Sequence, residues 1–594
     1  MLRGLFRTKS LNAILASAEA PEISLKRSLG AVQLTMLGIG AVIGAGIFST
    51  VGTAAAGGAG HAGAGPALIL SFLITAVTCG FAALCYAEFA SMVPVSGSAY
   101  TYSYATLGEL VGWIIGWDLI IEYAVGNVAV AISWSGYFQE LLRGFGRELP
   151  GWLGTDYRTA FQAAEQVAFA RSDGVDPATL GLAVQRGAQV LVDAPKLFGF
   201  PLVFNLPAFL IVMLVTWVLV LGIKESAWFN TSMVTLKLAI IGFFVILGAF
   251  YVKPENWTPF APNGFAGIAG AAAIIFFAYI GFDAVSTAAE ETRNPKRDMP
   301  IAILGSLVVC TLIYIAVAVV LTGMLPWRQL GTAEPLATAF SGLGMGWPAF
   351  IISLGAVFAT TSVLVVFQLG QPRIFFSMAR DGLLPSWAAR VHPRYRTPHV
   401  TTWVTGIVVA VFAGLANINE VVELTNIGTL FAFLLVCIGV TILRYKDPGR
   451  PRGFRVPLGP WVVPMLGAAS CLFLMIYLPP ASWWRFIGWL VLGMAVYLFY
   501  GYSHSAVGRE AGRPARTTGA QETAALGFLL AAAGLFFIPH DAGPAELLRE
   551  AVTPGAEGHW RALPGLALLA VGVVLAALGA ALETRRVVSA ARRP

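Results

Sequence analysis

The chain has 594 residues, of which 57% are hydrophobic and only 12% charged, and it carries a net charge of +7. A soluble domain carries about 25% charged residues, so this chain lacks the polar surface to coat a body in water and must be solvated by lipid. The positive charge does not point to nucleic acid, because Lys and Arg concentrate in alternate connections between apolar runs, which is a topology signal.

Apolar stretches of about 20 residues, enough to cross a bilayer core as helix, recur along the whole length. They are predicted at 31–55, 66–90, 108–142, 204–222, 228–252, 266–290, 300–324, 347–376, 399–416, 421–443, 461–480, 483–502, 523–539 and 563–583, numbered here as spans 1 to 14. Residues 1–30 form a polar, basic lead-in that includes Arg3, Arg7, Lys9, Lys26 and Arg27. Residues 143–203 form a long connection rich in Gly, Ala and polar residues, expected to carry short helices over the outer mouth. Residues 503–522 form a basic linker, spans 13 and 14 within 523–583 an accessory pair, and 584–594 a tail. The five cysteines lie inside apolar spans with no CxxC pair, as small core residues do. With the N-terminus inside, most Lys and Arg fall on the inward side, so both termini are expected in the cytoplasm.

Two spans are interrupted. Span 1 reads Met36-Leu-Gly-Ile-Gly-Ala-Val-Ile-Gly-Ala-Gly-Ile-Phe48. Gly40 and Gly44, four apart, suit close packing of helices, whereas Gly44-Ala45-Gly46 in mid-membrane permits the backbone to unwind. Span 6 reads Phe276-Phe-Ala-Tyr-Ile-Gly-Phe-Asp283, where Gly281 can leave the helix and Asp283 can cap a restarted one. The two interrupted spans are five apart, as expected if spans 1–5 (31–252) and 6–10 (266–443) are two inverted repeats, followed by spans 11 and 12 at 461–502. Irregular backbone at membrane depth survives only around a cavity. Free N–H groups where span 1 restarts attract a carboxylate, and free carbonyls where the first halves end attract an ammonium. Crossed breaks therefore form a receptor for an α-amino acid without a fixed charge, which at the membrane centre costs about 3 kcal/mol or more.

Gly44-Ala45-Gly46-Ile47-Phe48 resembles the span 1 signature of the amino acid–polyamine–organocation superfamily. Phe277-Ala278-Tyr279-Ile280-Gly281-Phe282-Asp283 with Glu290-Glu291-Thr-Arg-Asn-Pro295 is similar to span 6 and its loop in the cationic amino acid transporter family. So are Cys85-Tyr86-Ala87-Glu88-Phe89, Pro94-Val-Ser-Gly97-Ser-Ala-Tyr100 and Arg380-Asp381-Gly382-Leu383-Leu384-Pro385, and the likeness runs from about Leu25 to Arg444. The resemblance implies an all-α five-plus-five inverted-repeat (LeuT-like) fold with spans 1 and 6 broken. It also implies proton-coupled or exchange transport of neutral or cationic amino acids across the plasma membrane. By the same resemblance the carboxylate meets the N–H groups of Ala45, Gly46 and Ile47, beside Gly44, and the ammonium meets the carbonyls of Ile43, Phe277, Ala278 and Ile280. Phe277 is then an aromatic gate, and Thr360 sits where the substrate side chain points.

Charged residues inside the spans are the remaining signal. Lys237 lies about nine residues, or roughly 13 Å, into span 5, too deep to snorkel comfortably. By resemblance it takes the place of the coupling cation in sodium-linked relatives; the alternative is a structural strut to span 1 carbonyls. Glu122 in span 3 reads equally as proton-relay partner or hydrogen-bond acceptor, and Asp118, one turn away, as a packing residue. His61 between spans 1 and 2 reads as a surface histidine. The six histidines form no HExxH or similar set, so no catalytic residue, metal or cofactor is expected. A sensor or a polyamine carrier on the same fold remains as an alternative. The expected partners are a small amino acid, protons and the bilayer; the sequence leaves a small accessory membrane subunit and a homo-oligomer open.

Overall fold

In lipid a chain must satisfy every backbone group within itself, and helix does so locally. The computed structural model describes residues 7–8, 29–58, 61–92, 98–172, 176, 182–222, 227–395, 397–510, 517–538 and 559–591. Most of the 1–30 lead-in, the Pro94–Gly97 motif and parts of the 143–203, 503–522 and 584–594 segments lie outside them. Among the described residues, ten helices are long and apolar enough to cross a membrane, or eleven if the bent pair Ala31–Val42 and Gly46–Ala56 is one span. Three shorter apolar helices, Leu206–Val220, His399–Leu415 and Val462–Ile476, coincide with the expected spans 4, 9 and 11.

Neighbours in space are five apart in order. The break of span 1 lies against the break of span 6, span 2 runs along span 7, span 3 along span 8 and span 4 along span 9. One hydrophobic core runs continuously through these spans. The end of the bundle at which Ala31 enters is called the near end below, and the end bearing residues 143–203 the far end.

The long 143–203 connection folds on itself. Its helices Tyr157–Ser172 and Leu182–Asp193 pack together around Ala160, Val190, Ala194 and Val203, and a hairpin pairs Lys196–Leu197 with Phe200–Pro201. It is pinned to the corner between spans 9 and 10, where Asn417 Nδ2 donates to Thr159 Oγ1 at 2.8 Å and Arg158 meets Glu420 at 2.7 Å. Spans 13 and 14 (Gly519–Phe537 and His559–Ala591) interlock through glycine. A Cβ at Gly527, Gly572 or Gly579 would fall within 2.4 Å of the partner helix's backbone, so bare glycine permits the contact. The pair docks on span 12 through Leu535 and Ile538 against Trp484 and Val491. His61 sits in a short hairpin, Gly57–Gly58 with His61–Ala62, and burial pushes its imidazole below the ordinary value, so the ring is neutral near pH 7.

At the near end a buried carboxylate organises the chain. Glu88, at the end of span 2, accepts from Arg444 of span 10 through both Nε and Nη2, from Arg452 Nε at 3.2 Å and from the Val456 N–H at 2.7 Å. Its side chain is almost fully enclosed, so these donors replace the water it has lost. Removing one partner of such a buried group costs about 3–5 kcal/mol. Glu88→Ala is therefore expected to lower the melting temperature of the detergent-solubilised protein sharply. A melting curve that coincides with the parent's would show that the Glu88 cluster contributes no stability.

Candidate functional site

Span 1 leaves the helix at Ile43, which is extended at φ −76° and ψ 96°, and restarts at Gly46 at an angle of 42°. The Phe48 N–H reaches back to the Gly44 carbonyl at 3.3 Å. A restarting helix leaves its leading N–H groups without intrahelical acceptors, and here those belong to Ala45, Gly46 and Ile47. Span 6 is helical over Gly264–Ile275, tightens over Phe276–Tyr279 and becomes extended at Ile280. Gly281 follows at φ +120°, a conformation that L side chains rarely adopt, before a second tight segment at Asp283–Glu291.

The two breaks touch backbone to backbone. A Cβ on Gly46 would come 2.2 Å from Ala278 Cα, and one on Gly281 would come 2.8 Å from the Ala41 carbonyl carbon. Each glycine thus sits where the other broken span crosses it. Span 8 approaches from the side, with Val363 Cγ2 3.0 Å from where a Gly44 Cβ would be.

Side chains from other spans hold the broken ends. The Tyr314 hydroxyl of span 7 lies 3.0 Å from the Val42 carbonyl and 2.9 Å from the Ala278 carbonyl, its single proton shared between the two breaks. Asn426 of span 10 donates to the Ala273 and Ile274 carbonyls at 2.8 and 2.9 Å, closing the end of the first half of span 6. Lys237 of span 5 is 1% exposed, and its Nζ donates to Gly40 O at 2.8 Å and Ile43 O at 3.2 Å. Tyr137 of span 3 donates to the Phe48 carbonyl in the restarted half of span 1.

These contacts locate the residues singled out in the sequence. Ile43, Gly44, Ala45, Gly46 and Ile47 are at the first break, and Phe277, Ala278 and Ile280 at the second; all are buried. Three of the four carbonyls expected to face an ammonium already accept protein donors: Ile43 from Lys237, Ala278 from Tyr314, and Phe277 from the Ile280 N–H at 3.3 Å. Each carbonyl keeps a second lone pair. Asp283 does not cap a helix in the usual sense. Phe282 holds the N-cap position without a side-chain bond, and the Asp283 carboxyl turns back to accept from the Gly281 N–H at 3.2 Å. It therefore closes the turn itself. Thr360 is buried and its hydroxyl donates to Ala356 O of its own helix at 2.6 Å, while Val363 of the same span lies beside Gly44.

Glu122 is 2% exposed, lies within electrostatic range of Asp283 and Asp118, and has an Oε2 with no hydrogen-bond partner among the described residues. Both Asp118 oxygens are likewise without hydrogen-bond partners among the described residues. Sequence reading missed Tyr314 and Asn426. The available signal was a lone tyrosine and a lone amide inside otherwise apolar spans, since polar groups at membrane depth are rare and functional. Among the described residues no group of three or more His, Cys, Asp or Glu side chains could hold a metal ion. Because the Gly46 position lies 2.2 Å from Ala278 Cα, even Gly46→Ala is expected to force the two breaks apart and abolish substrate binding. Calorimetric titration of the purified variant would check this, and unchanged affinity would remove the crossing from the site.

The comparisons with known proteins agree with this architecture. Residues 29–502 match the family described as amino acid permease. The branched-chain amino acid permease BcaP of Bacillus subtilis (strain 168) is 46% identical over 85% of this chain and 99% of its own length. The methylthioribose transporter of the same organism is 44% identical over 86% of this chain and 100% of its own length. The vacuolar cationic amino acid transporter 2 of Arabidopsis thaliana is 36% identical over 75% of this chain and 64% of its own length. The chain belongs to the amino acid permease family of the amino acid–polyamine–organocation superfamily, as a cationic-amino-acid-transporter-like permease.

Proposed function

We propose that the protein is a proton-coupled secondary carrier of neutral aliphatic L-amino acids in the plasma membrane. In this reading fourteen spans leave both termini in the cytoplasm, and the near end is the cytoplasmic end. Spans 1–5 and 6–10 form the two inverted repeats of a LeuT-like fold, as the five-apart pairing supports. The observation that carries the reading is the crossing of two backbone breaks at Gly46–Ala278 and Gly281–Ala41. The N–H groups of Ala45, Gly46 and Ile47 form the carboxylate pole, and the carbonyls around Ile43, Phe277, Ala278 and Ile280 the ammonium pole, with Phe277 as the gate above them. A neutral side chain suits the span 8 side of the site, where Val363 meets span 1 and the Thr360 hydroxyl is turned onto its own helix. The relative named as a branched-chain amino acid permease supports the same choice.

Lys237 is the coupling group in this mechanism. Its protonated Nζ, bonded to Gly40 and Ile43, ties span 5 to the end of the first half of span 1. A cation there supplies what a sodium ion would supply, and it excludes sodium by charge. Loss of the proton weakens the tie and lets the first half of span 1 swing from span 5, opening the site to the cytoplasm. Glu122 takes part in moving that proton, beside Asp283 at the second break. Binding of the amino acid at the two poles and protonation of Lys237 both act on the break of span 1 and share the Ile43 carbonyl, which is what couples them.

A second reading is a neutral sugar-like solute, favoured by the relative named as a methylthioribose transporter, whose identity to this chain is nearly as high. Proteoliposomes with an inside-alkaline pH gradient separate the two. Labelled leucine is expected to accumulate, and valine and isoleucine to compete. Decarboxylated analogues and methylthioribose should fail to compete. Competition by methylthioribose alone would transfer the site to the second reading, and equal competition by amines would remove the carboxylate pole.

Lys237→Met is expected to lose pH-driven accumulation of leucine while retaining leucine binding. A Lys237→Met protein that still concentrates leucine under the pH gradient would end the coupling assignment.

A further inference from the structure

Asp118 lies on span 3 four residues before Glu122, about one helical turn and about 6 Å nearer the cytoplasmic end at 1.5 Å per residue. Its side chain is fully buried, and neither Oδ1 nor Oδ2 has a hydrogen-bond partner among the described residues. It rests against bare backbone of span 10, where a Cβ on Gly428 would come 2.7 Å from Oδ1. A side chain at that position of span 10 would expel the carboxyl, so span 10 leaves room for it. The next carboxyl up, Glu122, has an unpartnered Oε2, and beyond it lies Asp283, which closes the turn of span 6 at Gly281.

A buried carboxylate without partners is among the costliest arrangements in a protein, and the group avoids that cost by carrying a proton or holding water. The charged groups that could stabilise an anion here are few. On its own helix the nearest is Glu122, of the same sign; span 10 presents Gly428, while its Thr429 hydroxyl bonds to Glu122; span 6 presents Asp283, also acidic. Arg373 of span 8 acts on Tyr123, and among the described residues no basic side chain forms an ion pair with Asp118.

Resting on the proton-coupled reading above, we infer that Asp118 is the cytoplasmic-side proton station of the carrier, holding a proton between the Glu122–Asp283 pair and the inner face. The three carboxyls form a descending series from the substrate site: Asp283 at the break, Glu122 beside it, Asp118 one turn below. A proton released at the break when substrate leaves passes to Glu122, then to Asp118 through a water held by their unpartnered oxygens, and from there to the cytoplasm. The transfers from Asp283 to Glu122 and from Glu122 to Asp118 each move one proton from a carboxylic acid to a carboxylate, and Asp118 then gives its proton to water at the cytoplasmic face, becoming a carboxylate again. Asp118 touches no substrate in this scheme; it sets whether the proton can leave inward.

The test uses the full chain in proteoliposomes with labelled leucine, comparing the parent with Asp118→Asn, which keeps shape and cannot carry the proton. Leucine counterflow at equal pH, which needs binding and reorientation but no net proton release, is expected to persist in the variant. Accumulation under the inside-alkaline gradient is expected to fall about a hundredfold, the lower end of what a positioned proton-transfer group contributes. Infrared difference spectra of the parent should show a protonated-carboxyl C=O band that Asp118→Asn lacks. Undiminished accumulation by Asp118→Asn, or equal loss of counterflow and accumulation, overturns the inference and leaves a structural role. A parent protein that performs counterflow without pH-driven accumulation overturns the coupling reading itself, and this inference with it.

Discussion

Unpaired backbone at the centre of a membrane must find a partner, and here two broken spans supply most of the problem and much of the answer. The breaks at Ile43–Gly46 and Ile280–Gly281 meet so closely that a methyl group on Gly46 or Gly281 would collide with the other chain segment. That contact fixes the depth of both breaks. It also brings the restarting end of one helix beside the finishing end of another, so opposite partial charges face a common space. Spans 2–5 and 7–10 are arranged around this crossing.

The groups left over at the crossing are divided among three neighbouring side chains. Tyr314 bridges Val42 and Ala278, Asn426 closes the first half of span 6, and Lys237 takes Gly40 and Ile43. The three differ in kind. A tyrosine hydroxyl and an amide hold the breaks at any physiological pH, whereas an ammonium can change its charge. The hydroxyl and amide ties join spans 1, 6, 7 and 10, and the ammonium tie joins span 5 to span 1.

At the near end the Glu88 cluster fixes span 2 to span 10 and the loop after it through paired charges. Spans 13 and 14 are joined by glycine contact and rest on span 12. The 143–203 segment has its own small core and is tied to spans 9 and 10.

The sequence by itself determined that the chain is a membrane bundle, because 57% hydrophobic residues in runs of membrane length leave no other solvent. It also located both breaks, since glycines interrupting an apolar span carry a local signal: span 1 leaves the helix at Ile43, next to Gly44, and restarts at Gly46, and span 6 breaks at Ile280 and Gly281. Lys237 was legible for the same reason, as a charge too deep to reach water. Only the tertiary structure decided what these groups do to one another. The partners of Tyr314, Asn426 and Lys237 are carbonyls far away in sequence, and every residue has a carbonyl, so no residue type announces the contact. Thr360 gave no sign in sequence that its hydroxyl would donate to the Ala356 carbonyl of its own helix. Asp118 gave no sign that it would lie unpartnered against Gly428, because that depends on how closely two helices distant in sequence approach.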